Sequence, residues 1–185
     1  MTEEGFVVWL TGLPASGKTT VARKLKEYLQ SRGLRVELLD GDEVRRWLSP
    51  EAGFSREDRE RHLRRVAYVS KLLARNGVAV LASFVSPYRS VRRQARKLIE
   101  DEGLKFIEVY VKCSLEECIR RDPKGLYRRA LNGEIRDMTG IQEKEAVRFS
   151  QCYVVERYCI PQSYLIHLIK RQLPQLILYL LIVHI

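Results

Sequence analysis

Apolar residues along this chain come in short unbroken blocks, separated by longer stretches in which they recur at helical spacing. Phe6 to Thr11 is one such block and reads as a strand buried on both faces. Ser16 to Gln30 follows with helical periodicity. Arg35 to Leu39 reads as a second strand that ends on Asp40-Gly-Asp42, and a short helix then runs through Trp47 to a stop at Ser49-Pro50. Arg56 to Arg75 is a long amphipathic helix with Leu63, Val66, Val69, Leu72 and Leu73 on its apolar side, closed by Asn76-Gly77. Val78 to Ser83 is the third apolar block. A helix from Tyr88 to Asp101 starts just after Pro87. Lys105 to Val111 is the fourth block, and Ser114-Leu-Glu-Glu117 has the spacing of a capping box that opens another helix. Strands alternating with helices predict an α/β fold, a parallel sheet covered on both faces.

At 185 residues the chain fits one domain with a full core. Its net charge of +10 opens the question of nucleic acid. The arginines that carry much of this charge (Arg56, Arg59, Arg61, Arg64, Arg65) lie on one helix without interleaved aromatics. They read as a solvated face on a protein that handles small polyanions, with no nucleic acid as partner. The four cysteines, Cys113, Cys118, Cys152 and Cys159, form no C-x-x-C pair, as expected of reduced thiols in a cytoplasmic protein. The acidic start, Met1 to Gly5, does not read as a secretory signal. The apolar run Leu176 to Val183 is too short to span a bilayer, so no membrane contact is expected.

The strongest chemical signal is Gly12-Leu-Pro-Ala-Ser-Gly-Lys-Thr19, which fits the phosphate-loop pattern G-x-x-x-x-G-K-[ST] at every fixed position. Gly12 and Gly17 let the backbone turn its N–H groups toward phosphate oxygens, Lys18 supplies a compact charge for the β- and γ-phosphates, and the Thr19 hydroxyl suits a Mg²⁺ shell. The following helix adds its N-terminal dipole. Asp40 and Asp42 end the second strand. Two carboxylates there serve either as turn and cap formers or as metal-linked and proton-accepting groups beside the γ-phosphate. Ligands of such sheets sit beyond the carboxyl ends of the strands, where Gly12 to Thr19, Asp40 to Asp42 and Ser83 to Ser86 all fall.

Taken together, GLPASGKTT, LDGDEVR, GFSREDRERHLRR, SFVSPYR, DPKGLYRRALNGEI and TGI resemble the adenylylsulfate kinase family, in order and spacing, over residues 6 to 141. The resemblance implies a P-loop NTPase-type sheet with a helical lid. It also implies ATP-dependent phosphorylation of the ribose 3′-hydroxyl of adenosine 5′-phosphosulfate, with Mg²⁺ as cofactor. By position, Gly12, Leu13, Pro14, Ala15, Ser16, Gly17, Lys18, Thr19, Thr20 and Arg121 would bind ATP, and Thr19, Asp40 and Asp42 would hold the metal. Asp42 would act as base, with Asp40, Lys18 and Ser86 as the other catalytic positions. Arg45 and Arg59 would grip the phosphosulfate, and Phe54 would stack on the acceptor's adenine. His62, Val85, Ser86, Lys124, Leu126 and Met138 would complete the acceptor side. Ser86 matches a serine assigned to a phosphoserine intermediate, although in-line transfer between two bound nucleotides needs only positioning and charge neutralisation. A homodimer and an association with ATP sulfurylase are implied as well.

Three departures stand out. His62 replaces a usual Asn, and an imidazole that titrates near neutrality predicts pH-dependent substrate affinity. Met138 replaces a usual Phe and offers the adenine a thioether instead of a ring. From Gln142 the family pattern stops. The tail 142–185 reads either as a frameshifted end or as a genuine segment that supplies its own strand, Leu176 to Val183 being the candidate. The altered tail keeps open an inactive or regulatory nucleotide-binding homologue, and another small-molecule P-loop kinase is the remaining alternative.

Overall fold

The computed structural model describes residues 5–53, 55–142 and 153–156. The strands are β1 (Phe6–Thr11), β2 (Val36–Asp40), β3 (Ala79–Ser83), β4 (Lys105–Lys112) and β5 (Tyr153–Glu156). The helices are α1 (Lys18–Gln30), α2 (Gly41–Leu48), α3 (Arg56–Arg75), α4 (Arg89–Glu100), α5 (Leu115–Arg121) and α6 (Leu126–Leu131). The strands pair in parallel in the order β2-β3-β1-β4-β5. The chain leaves β1 toward one edge and later crosses to the other, so a crevice opens at the carboxyl end of β1.

Side chains of each strand alternate between two cores. Phe6, Val8 and Leu10 of β1 join Leu81, Ile107 and Val109 beneath Ala22, Leu25 and Leu29 of α1. Val7 and Trp9 face the other way, into Val66, Ala67 and Ala74 of α3 and Val91, Ala95 and Ile99 of α4. Burial on both sides explains the unbroken apolar blocks. A third cluster joins Leu13, Cys118, Tyr127, Ala130, Ile135 and Met138, and this ties α5 and α6 to the loop after β1.

The observed boundaries of α3 coincide with those expected, and Gly77 (φ 76°) takes the left-handed conformation that ends it. Ser114 caps α5 as expected, its hydroxyl accepting from Glu117 N at 3.2 Å. Among the described residues the tail adds one strand to the sheet, Tyr153–Glu156, running beside Val109 to Lys112. The candidate strand Leu176 to Val183 lies outside the described residues. Of the cysteines, Cys118 is buried and Cys113 partly so, and burial pushes the Cys118 thiol up to about 12. No helix among the described residues is long and apolar enough to cross a membrane.

Candidate active site

β1 delivers the chain into the phosphate loop through Gly12, whose φ of 149° disfavours any side chain. A Cβ there would lie 2.7 Å from Val111 O and 3.0 Å from Ser16 Oγ. Ser16 N donates to Leu13 O at 3.1 Å to close the turn, and Gly17, left-handed at φ 97°, starts α1. Lys18 is buried and folds back on the loop, donating to Gly12 O at 3.0 Å and Leu13 O at 2.7 Å. Burial pulls its ammonium down to about 8, helped by repulsion from Lys124 and opposed by Asp40 and the cysteines.

The two carboxylates after β2 divide their work. Asp40 is the N-cap of α2, with Oδ1 accepting from Asp42 N at 3.1 Å while Oδ2 accepts from Thr19 Oγ1 at 2.8 Å. Asp42 is left facing the cleft, where it meets the ammonium of Lys124 across 82 residues of sequence. Capping thus falls to Asp40, and Asp42 is free of it.

Opposite the phosphate loop, Arg45 donates to Ala52 O at 3.0 Å and also to Gly53 O, and Arg59 donates to Asp137 O at 3.0 Å. Burial and then the charge of Arg59 lower the Arg45 guanidinium. His62 is buried with Nδ1 2.9 Å from Ser49 Oγ and its ring edge-on to Phe84. Burial first, then Arg45 and Arg65, hold it at about 4, so it is neutral across the physiological range. The expected titration near neutrality is corrected accordingly. An imidazole shut from water beside two guanidiniums resists a further positive charge.

Ser86 is buried, with a positive φ of 36°. Its hydroxyl accepts from Trp9 Nε1 at 3.0 Å, so it is held by the core of the sheet. Arg121 donates to Glu117 Oε1 at 2.5 Å and to Cys113 Sγ at 3.4 Å. Met138 is buried in the third cluster.

One cavity of about 760 Å³ gathers most of these groups. Lys18, Thr19 and Thr20 of the phosphate loop and α1 line it, as do Asp42, Ser86 and the neighbouring group Arg45, Arg59 and His62. Pro14, Ala15, Gly17, Asp40, Val85, Arg121, Lys124, Leu126 and Met138 line it too. Gly12, Leu13 and Ser16 are the buried residues of the loop itself, which they shape. Phe54 lies outside the described residues. Sequence reasoning missed Arg23, which lines the cavity one helical turn beyond Thr19, and Thr139. Ser83 Oγ and Thr139 Oγ1 are buried and without a hydrogen-bond partner among the described residues. The location of Ser83 at a strand end was the available signal for it.

A sequence model of the family described as adenylylsulphate kinase matches residues 4–148. The chain is 60% identical over 141 residues to the "Probable adenylyl-sulfate kinase" of Aeropyrum pernix, covering 76% of this chain and 77% of that protein. It is 50% identical over 139 residues to the "Adenylyl-sulfate kinase" of Myxococcus xanthus, covering 75% of each. Among solved structures, the Mycobacterium tuberculosis APS kinase CysC in complex with AMPPNP and APS superposes with a TM-score of 0.84 at 38% identity. That superposition covers 91% of this chain and 97% of the other.

Proposed function

This chain belongs to the adenylylsulphate kinase family, and from that membership we propose that it phosphorylates the ribose 3′-hydroxyl of adenosine 5′-phosphosulfate with ATP. The observation that carries the reading is a cavity lined together by Lys18 and Thr19 of the phosphate loop, by the carboxylate of Asp42 and by the guanidiniums of Arg45 and Arg59. Two anionic nucleotides meeting head to head need that distribution of charge.

In this reading the loop N–H groups and Lys18 bind the β- and γ-phosphates, Lys18 exchanging the carbonyls of Gly12 and Leu13 for phosphate oxygens. Thr19, Asp40 and Asp42 supply hard oxygen donors of the kind that Mg²⁺ accepts alongside phosphate and water. When bound, the ion neutralises charge on the transferring phosphoryl group. Asp42 takes the proton of the 3′-hydroxyl as the new P–O bond forms and the bond to the β-phosphate oxygen breaks, releasing ADP. To do so it must surrender Lys124, and the acceptor's anionic groups offer that ammonium a replacement partner. Arg45 and Arg59 hold the phosphosulfate, Phe54 and Met138 the adenine, with His62, Val85 and Leu126 completing that wall. Ser86 binds and does not attack in this reading, because in-line transfer between two bound nucleotides needs only positioning and charge neutralisation, and Trp9 holds its hydroxyl in place. Arg121 serves the ATP side. The segment Asp122 to Leu131 closes as a lid that excludes water.

We carry the domain reading, the homodimer, the ATP sulfurylase association and the cytoplasmic location in the same proposal, the homodimer being tested by light scattering. The decisive experiment is coupled ADP release with adenylylsulfate, gluconate, shikimate and nucleoside monophosphates as acceptors. Turnover confined to adenylylsulfate is expected. Preference for another acceptor would move the chain to a different kinase class, and tight ATP binding without turnover would make it a regulatory module.

A further inference from the structure

The loop that presents Val85 and Ser86 to the cavity is fastened from below by a side chain outside the site. Arg92, in the first turn of α4, is 1% exposed. Its Nη1 donates to Ser86 O and to Pro87 O, each at 2.8 Å, and its Nε donates to Glu108 Oε1 at 2.7 Å. Glu108 lies on β4 and is itself buried, with Arg96 Nη2 3.5 Å from its second oxygen. From the other side, Thr11 Oγ1 donates to Val85 O at 2.8 Å and Trp9 Nε1 to Ser86 Oγ at 3.0 Å. The loop is therefore pinned by β1, β4 and α4 together, and Ser86 is held at a positive φ that a non-glycine residue adopts only under constraint.

Stability alone gives a poor account of this arrangement. Burying an ion pair seldom stabilises more than apolar residues of the same volume. A cation in the first turn of a helix also opposes the helix dipole. What the guanidinium supplies, and a methionine could not, is a rigid fork that fixes two successive carbonyls relative to the sheet. We propose that Arg92, backed by Glu108, is a positioning residue for the acceptor half of the site, setting where Val85 and Ser86 meet the adenylylsulfate. The inference rests on the acceptor reading given above. It separates the two substrates, because the ATP half is built on the phosphate loop and α1, which Arg92 does not touch through any of these bonds.

The test is the double variant Arg92→Met/Glu108→Leu, which removes the buried pair without leaving either charge alone, with Arg92→Lys as a milder companion. The expected result is a cooperatively folded protein of lowered melting temperature, since the carbonyls of Ser86 and Pro87 lose their donor, with KM for adenylylsulfate raised about ten- to a hundredfold by misplacement of the loop and KM for ATP within about twofold. Arg92→Lys, whose ammonium lacks the fork geometry, should fall between the two. Unchanged KM for both substrates in a folded double variant overturns the proposal, as does a parallel rise in both. Should the double variant not fold, Arg92→Lys decides by the same two criteria.

Absence of adenylylsulfate turnover in the wild-type protein would instead remove the acceptor reading. The clamp is then judged in a Trp47→Phe background, where Trp9 is the remaining tryptophan. Its emission should shift when Arg92 is replaced and Ser86 moves away from the indole. An unshifted spectrum overturns the clamp itself.

Discussion

Asp42, Lys18 and His62 show how environment assigns roles that residue type leaves open. Asp42→Asn keeps the size of the side chain and removes its basicity. Turnover should fall by about a thousandfold or more, while the ATP dissociation constant, read by calorimetry, stays within about threefold. Near-normal turnover would exclude Asp42 as the base. Lys18 gives a pH signature, since its ammonium loses its proton near pH 8 when no nucleotide is bound. ATP binds the protonated form, so affinity should be flat below that pH and weaken as pH rises through 8 to 9.5, with proton uptake on binding. Lys18→Met should bind weakly at every pH. His62 acts on stability. Its folded pKa of about 4 lies below the ordinary 6.5, so the unfolded chain binds more protons between those values. Stability is full above about pH 6.5 and declines toward pH 4, by about 3 kcal/mol for a shift of this size. His62→Asn should flatten that decline in urea unfolding curves. All three positions were legible in the sequence. The protonation of Lys18 and His62 was not, because it depends on burial and, for His62, on the guanidiniums of Arg45 and Arg65.

Short helices here are held by side-chain caps at their starts, and one cap sits in the lid. Asp122 accepts from Tyr127 N at 3.1 Å and Arg128 N at 2.9 Å, which satisfies two amides at the start of α6. Tyr127 in turn donates through its hydroxyl to Pro14 O at 3.0 Å, and so links the lid to the phosphate loop. Asp122→Ala should destabilise this segment by about 1 kcal/mol. The functional readout is leakage, with ATP hydrolysed in the absence of acceptor at a higher rate relative to productive transfer. Unchanged coupling would mean that the segment does not exclude water. Capping signals such as Ser114 and Gly77 were readable because they act within a few residues. The division of labour between Asp40 and Asp42 was not, since it depends on where Thr19 and Lys124 arrive from elsewhere in the chain.

At the level of the whole molecule, the sheet of the described residues ends on a strand drawn from the atypical tail. β5 pairs with Val109 to Lys112 along the edge of β4. A chain ending at Gln142 would leave that edge bare, and an uncovered edge is a template for association between chains. Such a truncation should lower the melting temperature and raise the aggregation rate by light scattering. Equal behaviour of the two forms would show that β5 is dispensable. The sheet also fastens the Ser86 loop: Trp9 and Thr11 of β1 reach it directly, and Glu108 of β4 reaches it through Arg92.

The amino-acid order by itself determined the α/β class, the position of nearly every strand and helix through β4, and the phosphate loop. These follow from periodicity and from motifs whose chemistry is local. Tertiary structure alone decided that Asp42 faces Lys124, that His62 is neutral, that Tyr153 to Glu156 pair beside β4, and that Arg92 is buried beneath Ser86. Each of these depends on contacts between residues far apart in sequence, and on a desolvation that exists only once the two faces of the sheet are covered.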